Sequence, residues 1–216
     1  SKYGSARSIA LTSFGLIIAI DGTAASGKGT ISRKIAQNYC VPHLDTGLLY
    51  RLVGYHVLHG IDPIDAANQL NVKQAEVFDL KTLQVSNAAS EVAKNPSVRA
   101  KLLEFQRRFA SKPGGAVLDG RDIGTVICPN ADLKFYITAS SEVRAQRRHS
   151  ELLVLGHKIS YESVLREIQE RDERDTNREQ SPLLPAEDAN KIDTSDMNIG
   201  EVYDLVCLII DAKLEK

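Results

Sequence analysis

The stretch IDGTAASGKGTI, residues 20–31, constrains this chain more than any other. It follows the apolar run Leu16, Ile17, Ile18, Ala19 and Ile20, and leads directly into Ser32, Arg33, Lys34, Ile35 and Ala36. A buried strand, a turn of small residues and a helix start are predicted in that order. Gly22 and Gly27, separated by four residues and followed by Lys28, have the spacing of the loop that cradles a chain of phosphates. Such a loop turns several N–H groups inward, the lysine adds a mobile positive charge, and the helix beginning there adds a favourable dipole end. One detail departs from the general pattern: Gly29 follows the lysine, and the hydroxyl comes one residue later, at Thr30. The alternative is a Gly-rich turn that only joins strand to helix. A lysine in register between a strand and a helix speaks against it.

Composition excludes several classes of partner. With 216 residues and 43% hydrophobic content, the chain suits one large domain with a real core. A net charge of −1 gives no electrostatic case for nucleic acid or an anionic membrane as a partner. The longest apolar runs, such as 16–20 and 206–210, are far too short to span a bilayer. Residues 1–15 hold no hydrophobic stretch long enough for a secretory signal and read as a flexible N-terminal arm. Cys40, Cys128 and Cys207 are odd in number and scattered, which suits a reducing cytoplasm and three small buried hydrophobes. His56 and His59 have helical spacing but read as a surface pair rather than a zinc site.

The first helix should end near Tyr39 and Cys40, and 41–44 is a short extended piece. Thr46 is a suitable N-cap for a helix over 48–58 that carries Arg51 one turn in. Arg51 is either an ordinary surface arginine or, lying after a strand end, an anion contact. From 59 to 112 the pattern is helical, broken at Ile61-Asp62-Pro63 and again at Asn95-Pro96. The second break separates 85–94 from 98–109, with Ser90 and Arg99 on either side; by composition alone both read as solvated. A strand at 116–118 exits into Asp119, Gly120, Arg121 and Asp122, charges that are costly at a strand end unless they bind something or each other. A strand follows at 132–137, then a helix with Arg144, Arg147 and Arg148, a hinge or stop at Gly156, and a helix from about 160. That last helix places Arg171, Arg174 and Arg178 on one face, with Asp175 four residues after Arg171; a solvated, ion-paired face is the ordinary reading. A short strand at 191–193 and an amphipathic helix at 199–213 end the chain.

Alternating strands and helices predict an α/β fold: a doubly wound, parallel, five-stranded sheet around the P-loop, covered by helices on both faces. In such sheets ligands bind outside the carboxyl ends of the strands. The unusual residues collect at those ends: the loop after Ile20, Asp45 and Thr46 after Leu44, and Asp119 to Asp122 after Leu118. Phosphoryl transfer needs charge neutralised around a moving group more than covalent help from the protein. Lys28, Arg51, Arg121, Arg147, Arg148, Arg171 and Arg178 supply that charge from separate segments.

Five motifs in order, GKGT at 27–30, LDTGLLYR at 44–51, NAASEVAKNPSVR at 87–99, LDGRDIGTV at 118–126 and RDERDTNREQSPLLPAEDA at 171–189, together resemble bacterial cytidylate kinase. The resemblance spans residues 18–213. It implies a kinase domain over 16–216, with a core of 16–58, 113–148 and 182–216, a monophosphate-binding segment of about 59–112 and a lid of about 149–165. It also implies that Gly22, Thr23, Ala24, Ala25, Ser26, Gly27, Lys28, Gly29 and Thr30 hold the phosphates of ATP. Thr46, Arg51, Asp119 and Arg121 would line the acceptor phosphate site, with Arg178 nearby. Ser90, Arg99 and Asp122 would read the cytosine edge, and Arg171 and Asp175 the sugar hydroxyls. Cytosine presents a donor amine beside an acceptor nitrogen, which a carboxylate and a guanidinium match. Lys28, Arg121, Arg147, Arg148 and Arg178 would be catalytic, the two adjacent arginines closing over the phosphoryl group.

Longer relatives carry a β-rich insertion that is absent between Arg51 and Ser86, where this chain reads as short and helical. The implied reaction is ATP + (d)CMP → ADP + (d)CDP, with Mg²⁺ held by phosphates, Thr30 and water rather than by a dedicated protein cage. A cytoplasmic monomer binding ATP and CMP or dCMP is expected, without nucleic acid or membrane partners. The alternatives are a P-loop kinase for a different small acceptor and a non-catalytic nucleotide switch.

Overall fold

The computed structural model describes residues 15–215; the arm expected over 1–15 lies outside them except for Gly15. The first half of the chain gives β1 (Ile17–Gly22), α1 (Lys28–Tyr39), β2 (His43–Asp45), α2 (Thr46–Leu58), α3 (Pro63–Asn68), a 3₁₀ turn (Val72–Glu76) and α4 (Leu83–Val92). Next come α5 (Pro96–Ala110), β3 (Ala116–Gly120), a π-helical turn (Ile123–Ile127) and β4 (Leu133–Thr138). The chain closes with α6 (Ser141–Val154), α7 (Tyr161–Asn177), β5 (Asn190–Asp193) and α8 (Ile199–Leu214).

The five strands form one sheet in the order β2-β3-β1-β4-β5, and every pairing is parallel. This is the doubly wound sheet that the alternation of patterns predicts. β1 lies at its centre, because a strand with apolar residues at every position from Ile17 to Ile20 suits burial on both faces. Side chains alternate across it. Ile18 and Ile20 pack with Phe135, Ile137 and the inner faces of α1 and α8, while Ala19 faces the opposite side with Leu118, Leu49 and Leu102. The small Ala19 leaves room on that side for α2 and α5. β1 and β3 are neighbours whose onward connections leave in opposite directions, so a crevice opens between their carboxyl ends. The register fixes what meets there: Asp21 lies beside Gly120, and Asp45 beside Asp119.

Two local expectations are corrected. The N-cap of α2 is Asp45, whose carboxylate accepts from the Leu48 amide; Thr46 is the first helical residue, and its hydroxyl donates to the Asp119 carbonyl. An aspartate one residue earlier has the extended backbone a cap requires, which frees the threonine to tie α2 to β3. Cys128 and Cys207 are buried as expected, but Cys40 is exposed because it ends α1 in a left-handed conformation that turns it outward. The break at Asn95-Pro96 is found where the sequence placed it, with Asn95 capping α5 and proline in its first turn.

A smaller cluster of Ala145, Leu152, Val164 and Ile168 joins α6 to α7 as an antiparallel hairpin. On the other flank α2 and α4 approach so closely that a Cβ on Gly54 would sit 2.7 Å from the Ala89 amide nitrogen. That contact fixes α4, and Ser90 with it, against the rim of the crevice. Replacing Gly54 with valine should force the helices apart at a cost of about 2 kcal/mol, lowering the melting temperature by roughly 5 °C. An unchanged melting temperature would show that the close approach carries no constraint.

Candidate active site

The crevice is built from three clefts in line along the carboxyl edge of the sheet. The central one, about 280 Å³, is lined among others by Ala24, Ala25, Lys28, Gly29, Arg51, Asp119, Arg121, Arg148 and Arg171. A narrow one, about 50 Å³, continues from it past Gly47, Arg121 and Arg171 to Thr46, Tyr50, Ser90, Arg99, Asp122, Asp175 and Arg178. The third, about 250 Å³, lies at the start of α1 between Ser26, Gly27, Arg147, Thr194 and Ile199.

The loop after β1 turns as its sequence requires. Gly22 has no room for a side chain, since a Cβ there would run into the Ile137 carbonyl, and Gly27 caps α1 with φ 87° in the left-handed region. No side chain among the described residues caps α1, so its first amides are left facing the loop. Thr23 bonds to Thr138 at 3.1 Å, and the buried Ser26 hydroxyl has no partner among the described residues. Thr30 sits on the first turn of α1, with a long 3.5 Å contact from Arg33.

Lys28 projects into the central cleft, and its pKa is pushed down to about 7 by burial and then by Arg121, with Asp119 and Asp45 opposing. Cations outnumber carboxylates in this cleft, and its two aspartates are already paired. Asp45 binds Arg51 at 2.6 Å, and Asp119 binds His43 at 2.5 Å. Burial lowers the Arg171 pKa to about 10, with Arg121 adding to the effect. Arg121 keeps its charge against the same burial because Asp175 accepts from its Nε at 2.7 Å. Burial opposes ionisation of Asp175, yet Arg121 and Arg171 outweigh it and hold that carboxyl below its usual range.

In the narrow cleft Arg99 and Asp122 form a tight buried ion pair, and Arg99 also donates to the Ala93 carbonyl at 3.2 Å. Three buried polar atoms here have no partner among the described residues: the Ser90 hydroxyl, Arg171 Nε and one terminal nitrogen of Arg178. Buried groups are rarely left so, and three orphans, one from α4 and two from α7 and its cap, lining one cleft describe a place for a polar ligand.

The sequence-predicted residues are thus gathered with two exceptions of direction. Arg147 turns away from the central cleft, donating to the Thr194 hydroxyl at 3.0 Å and to the Thr194 and Met197 carbonyls. Its neighbour Arg148 reaches the central cleft, where it bonds Glu151 and the Lys81 carbonyl. Consecutive helical residues diverge by about 100°, so one pair serves two clefts. Arg178 does not share a helix face with Arg171 and Arg174; it is the extended cap of α7 and folds back over Asp175.

Sequence reasoning assigned no role to Tyr50, Arg144 or Asp21. Tyr50 lines the narrow cleft with Arg99 over its ring, 5.6 Å from the centroid, and burial pushes its hydroxyl up to about 12. Arg144 is buried and donates to the Ala24 and Ala139 carbonyls, at 3.1 and 2.8 Å, and to Asp172 of α7, so it fastens the phosphate loop to the helix carrying Arg171. The spacing of Arg144, Arg147 and Arg148 gave no signal that the first of them is a strut. Asp21, by contrast, is an acidic residue inside an apolar strand, and that was a visible cue.

Comparison with known proteins identifies the family. The cytidylate kinase family model matches residues 18–212. A cytidylate kinase of Xanthobacter autotrophicus is 50% identical over 204 residues, covering 92% of this chain and 98% of that protein. One from Cereibacter sphaeroides is 53% identical over 182 residues, covering 84% and 88%. A crystal structure of an uncharacterized protein from Eubacterium ventriosum has a TM-score of 0.57 at 17% identity, covering 91% of this chain and 98% of that one, and shares the fold. Matched along nearly its whole length by the family model and by relatives of this identity, the chain belongs to the cytidylate kinase family of ATP-dependent phosphotransferases.

Proposed function

We propose that this protein transfers the γ-phosphoryl group of ATP to CMP and dCMP, giving ADP and CDP or dCDP. The observation that carries the reading is the narrow cleft, where Ser90, Arg171 and Arg178 hold unpartnered polar atoms beside the Arg99–Asp122 pair. Cytosine would satisfy this set: its amine donates to Asp122, and its ring nitrogen and carbonyl accept from Arg99 and Ser90. Arg171 and Asp175 lie where a sugar would follow. Arg121, at the junction with the central cleft, and Arg51 within that cleft would grip the acceptor phosphate.

On the donor side the amides of the loop Thr23–Gly27 and Lys28 hold the phosphate chain of ATP. The third cleft, walled by Arg147, Thr194 and Ile199, suits a flat, partly apolar base. Acceptor and γ-phosphate would then meet between Lys28, Arg121 and Arg148, whose charges neutralise the equatorial oxygens as the bonds exchange. The α6–α7 hairpin, with residues 149–165 at its turn, serves as the lid that excludes water. Asp119, a buried carboxylate whose Oδ1 lies 4.0 Å from where a Cβ on Gly29 would sit, and Thr30, one residue further on, would hold Mg²⁺. When bound, Mg²⁺ would supply charge neutralisation to the transferring phosphoryl group.

Replacing Lys28 with alanine should lower kcat by about 10²–10³-fold, the usual effect of losing one oriented charge at a transferring group. Near-normal turnover would remove Lys28 from catalysis. Replacing Asp122 with alanine should raise KM for CMP by about 10- to 100-fold, since it strands Arg99 as a buried unpaired cation, and should leave KM for ATP within a few fold. Equal effects on both substrates would mean that Asp122 does not read the base.

The Lys28 pKa near 7 gives a third expectation. The ammonium binds phosphate and the free amine does not, so kcat/KM for ATP should fall as pH rises through about 7 in the free protein. Bound phosphate returns the pKa upward, so kcat should hold to higher pH and ATP binding should take up a proton. Lys28→Arg stays charged and should lack that alkaline limb in kcat/KM. A wild-type limb that persists in Lys28→Arg would assign it to another group.

A further inference from the structure

Asp21 is 4% exposed near the end of β1, one residue before the phosphate loop begins. Among the described residues its carboxylate bonds to backbone amides: Oδ1 accepts from the Ile123 amide and Oδ2 from the Gly124 amide, each at 2.8 Å, across more than 100 residues of sequence. Those two amides open the π-helical turn immediately after Arg121 and Asp122. Gly124 is shaped to this arrangement: a Cβ there would lie 3.0 Å from Lys134 Cδ and 3.4 Å from Asp21 Oδ2.

A buried carboxyl held by amides is an expensive way to fasten a loop. The sheet already joins β1 to β3 as far as Gly120, so the clamp acts on the chain beyond that residue. This segment carries the Asp122 carboxylate, paired with Arg99, and Arg121 at the junction of the two clefts. On the donor side, Asp21 is continuous with the loop that Gly22 opens.

We infer that Asp21 is a positioning residue: by clamping the Ile123 and Gly124 amides it sets Arg121 and Asp122 against the phosphate loop, so that the acceptor nucleotide is held in line with the donor phosphates. The inference rests on the CMP kinase reading above. Asn in place of Asp21 keeps the shape but turns one acceptor into an N–H₂ facing an amide N–H, which breaks one arm of the clamp.

The test is steady-state kinetics of the full chain with CMP, UMP and ATP, alongside thermal melting, for wild type, Asp21→Asn and Gly124→Ala. Wild-type turnover of CMP tests the underlying reading by itself, and its failure overturns that reading and this inference with it. Given that turnover, Asp21→Asn should raise KM for CMP about tenfold, narrow the preference for CMP over UMP, and leave KM for ATP within about twofold. Gly124→Ala presses on the clamp from the other end and should give the same split, which decides the matter if Asp21→Asn fails to fold. A fall in melting temperature with unchanged KM values, or equal shifts for CMP and ATP, makes Asp21 a fold residue only and overturns the inference. Loss of the fold in both variants does the same.

Discussion

The repulsion among like charges at one edge of the sheet is the constraint on which this molecule turns. Lys28, Arg51, Arg121 and Arg171 converge on a single cleft, and the lowered pKa values of Lys28 and Arg171 record what that crowding and burial cost. No fold would gather these groups for stability. Carboxylates offset part of the repulsion, Asp45 on Arg51 and Asp175 on Arg121. A nucleotide brings phosphates that relieve the rest of it.

The parallel sheet makes this arrangement possible. Strand register brings Asp21 beside Gly120 and Asp45 beside Asp119, which aligns three loops from distant sequence at one height. Backbone and side-chain ties then lock the loops to one another: Thr46 to the Asp119 carbonyl, Arg144 to Ala24 and Asp172, Asp21 to the turn after Asp122. They set the distances at which the substrate-facing groups act, and phosphoryl transfer depends on such distances more than on any reactive side chain.

Much of this was legible in the sequence because strong local signals agreed. The apolar run, the two glycines and Lys28 fix strand, loop and helix together, and Asn95-Pro96 fixes a helix boundary whatever the rest of the fold does. The fold class followed from alternation alone. What could not be read was direction. Arg147 and Arg148 are adjacent and chemically identical, yet they serve different clefts, and only the position of α6 on the sheet decides which is which. Arg178 looked helical because spacing continued through it, but α7 stops at Asn177 and the residue folds back. Tyr50 and Arg144 went unassigned because their roles come from partners distant in sequence, which no local pattern encodes.

The most direct test of the account is ADP release from Mg-ATP with CMP, dCMP, UMP, AMP, GMP or shikimate as acceptor, against a blank with none. Turnover strongest with CMP and dCMP is the predicted result, because the cytosine edge offers a donor to Asp122 beside two adjacent acceptors for Arg99 and Ser90, whereas uracil presents N3–H and a carbonyl there. Turnover led by another acceptor would keep the phosphate machinery and contradict the base-reading cleft. ATP binding with no turnover above the blank would contradict the account as a whole.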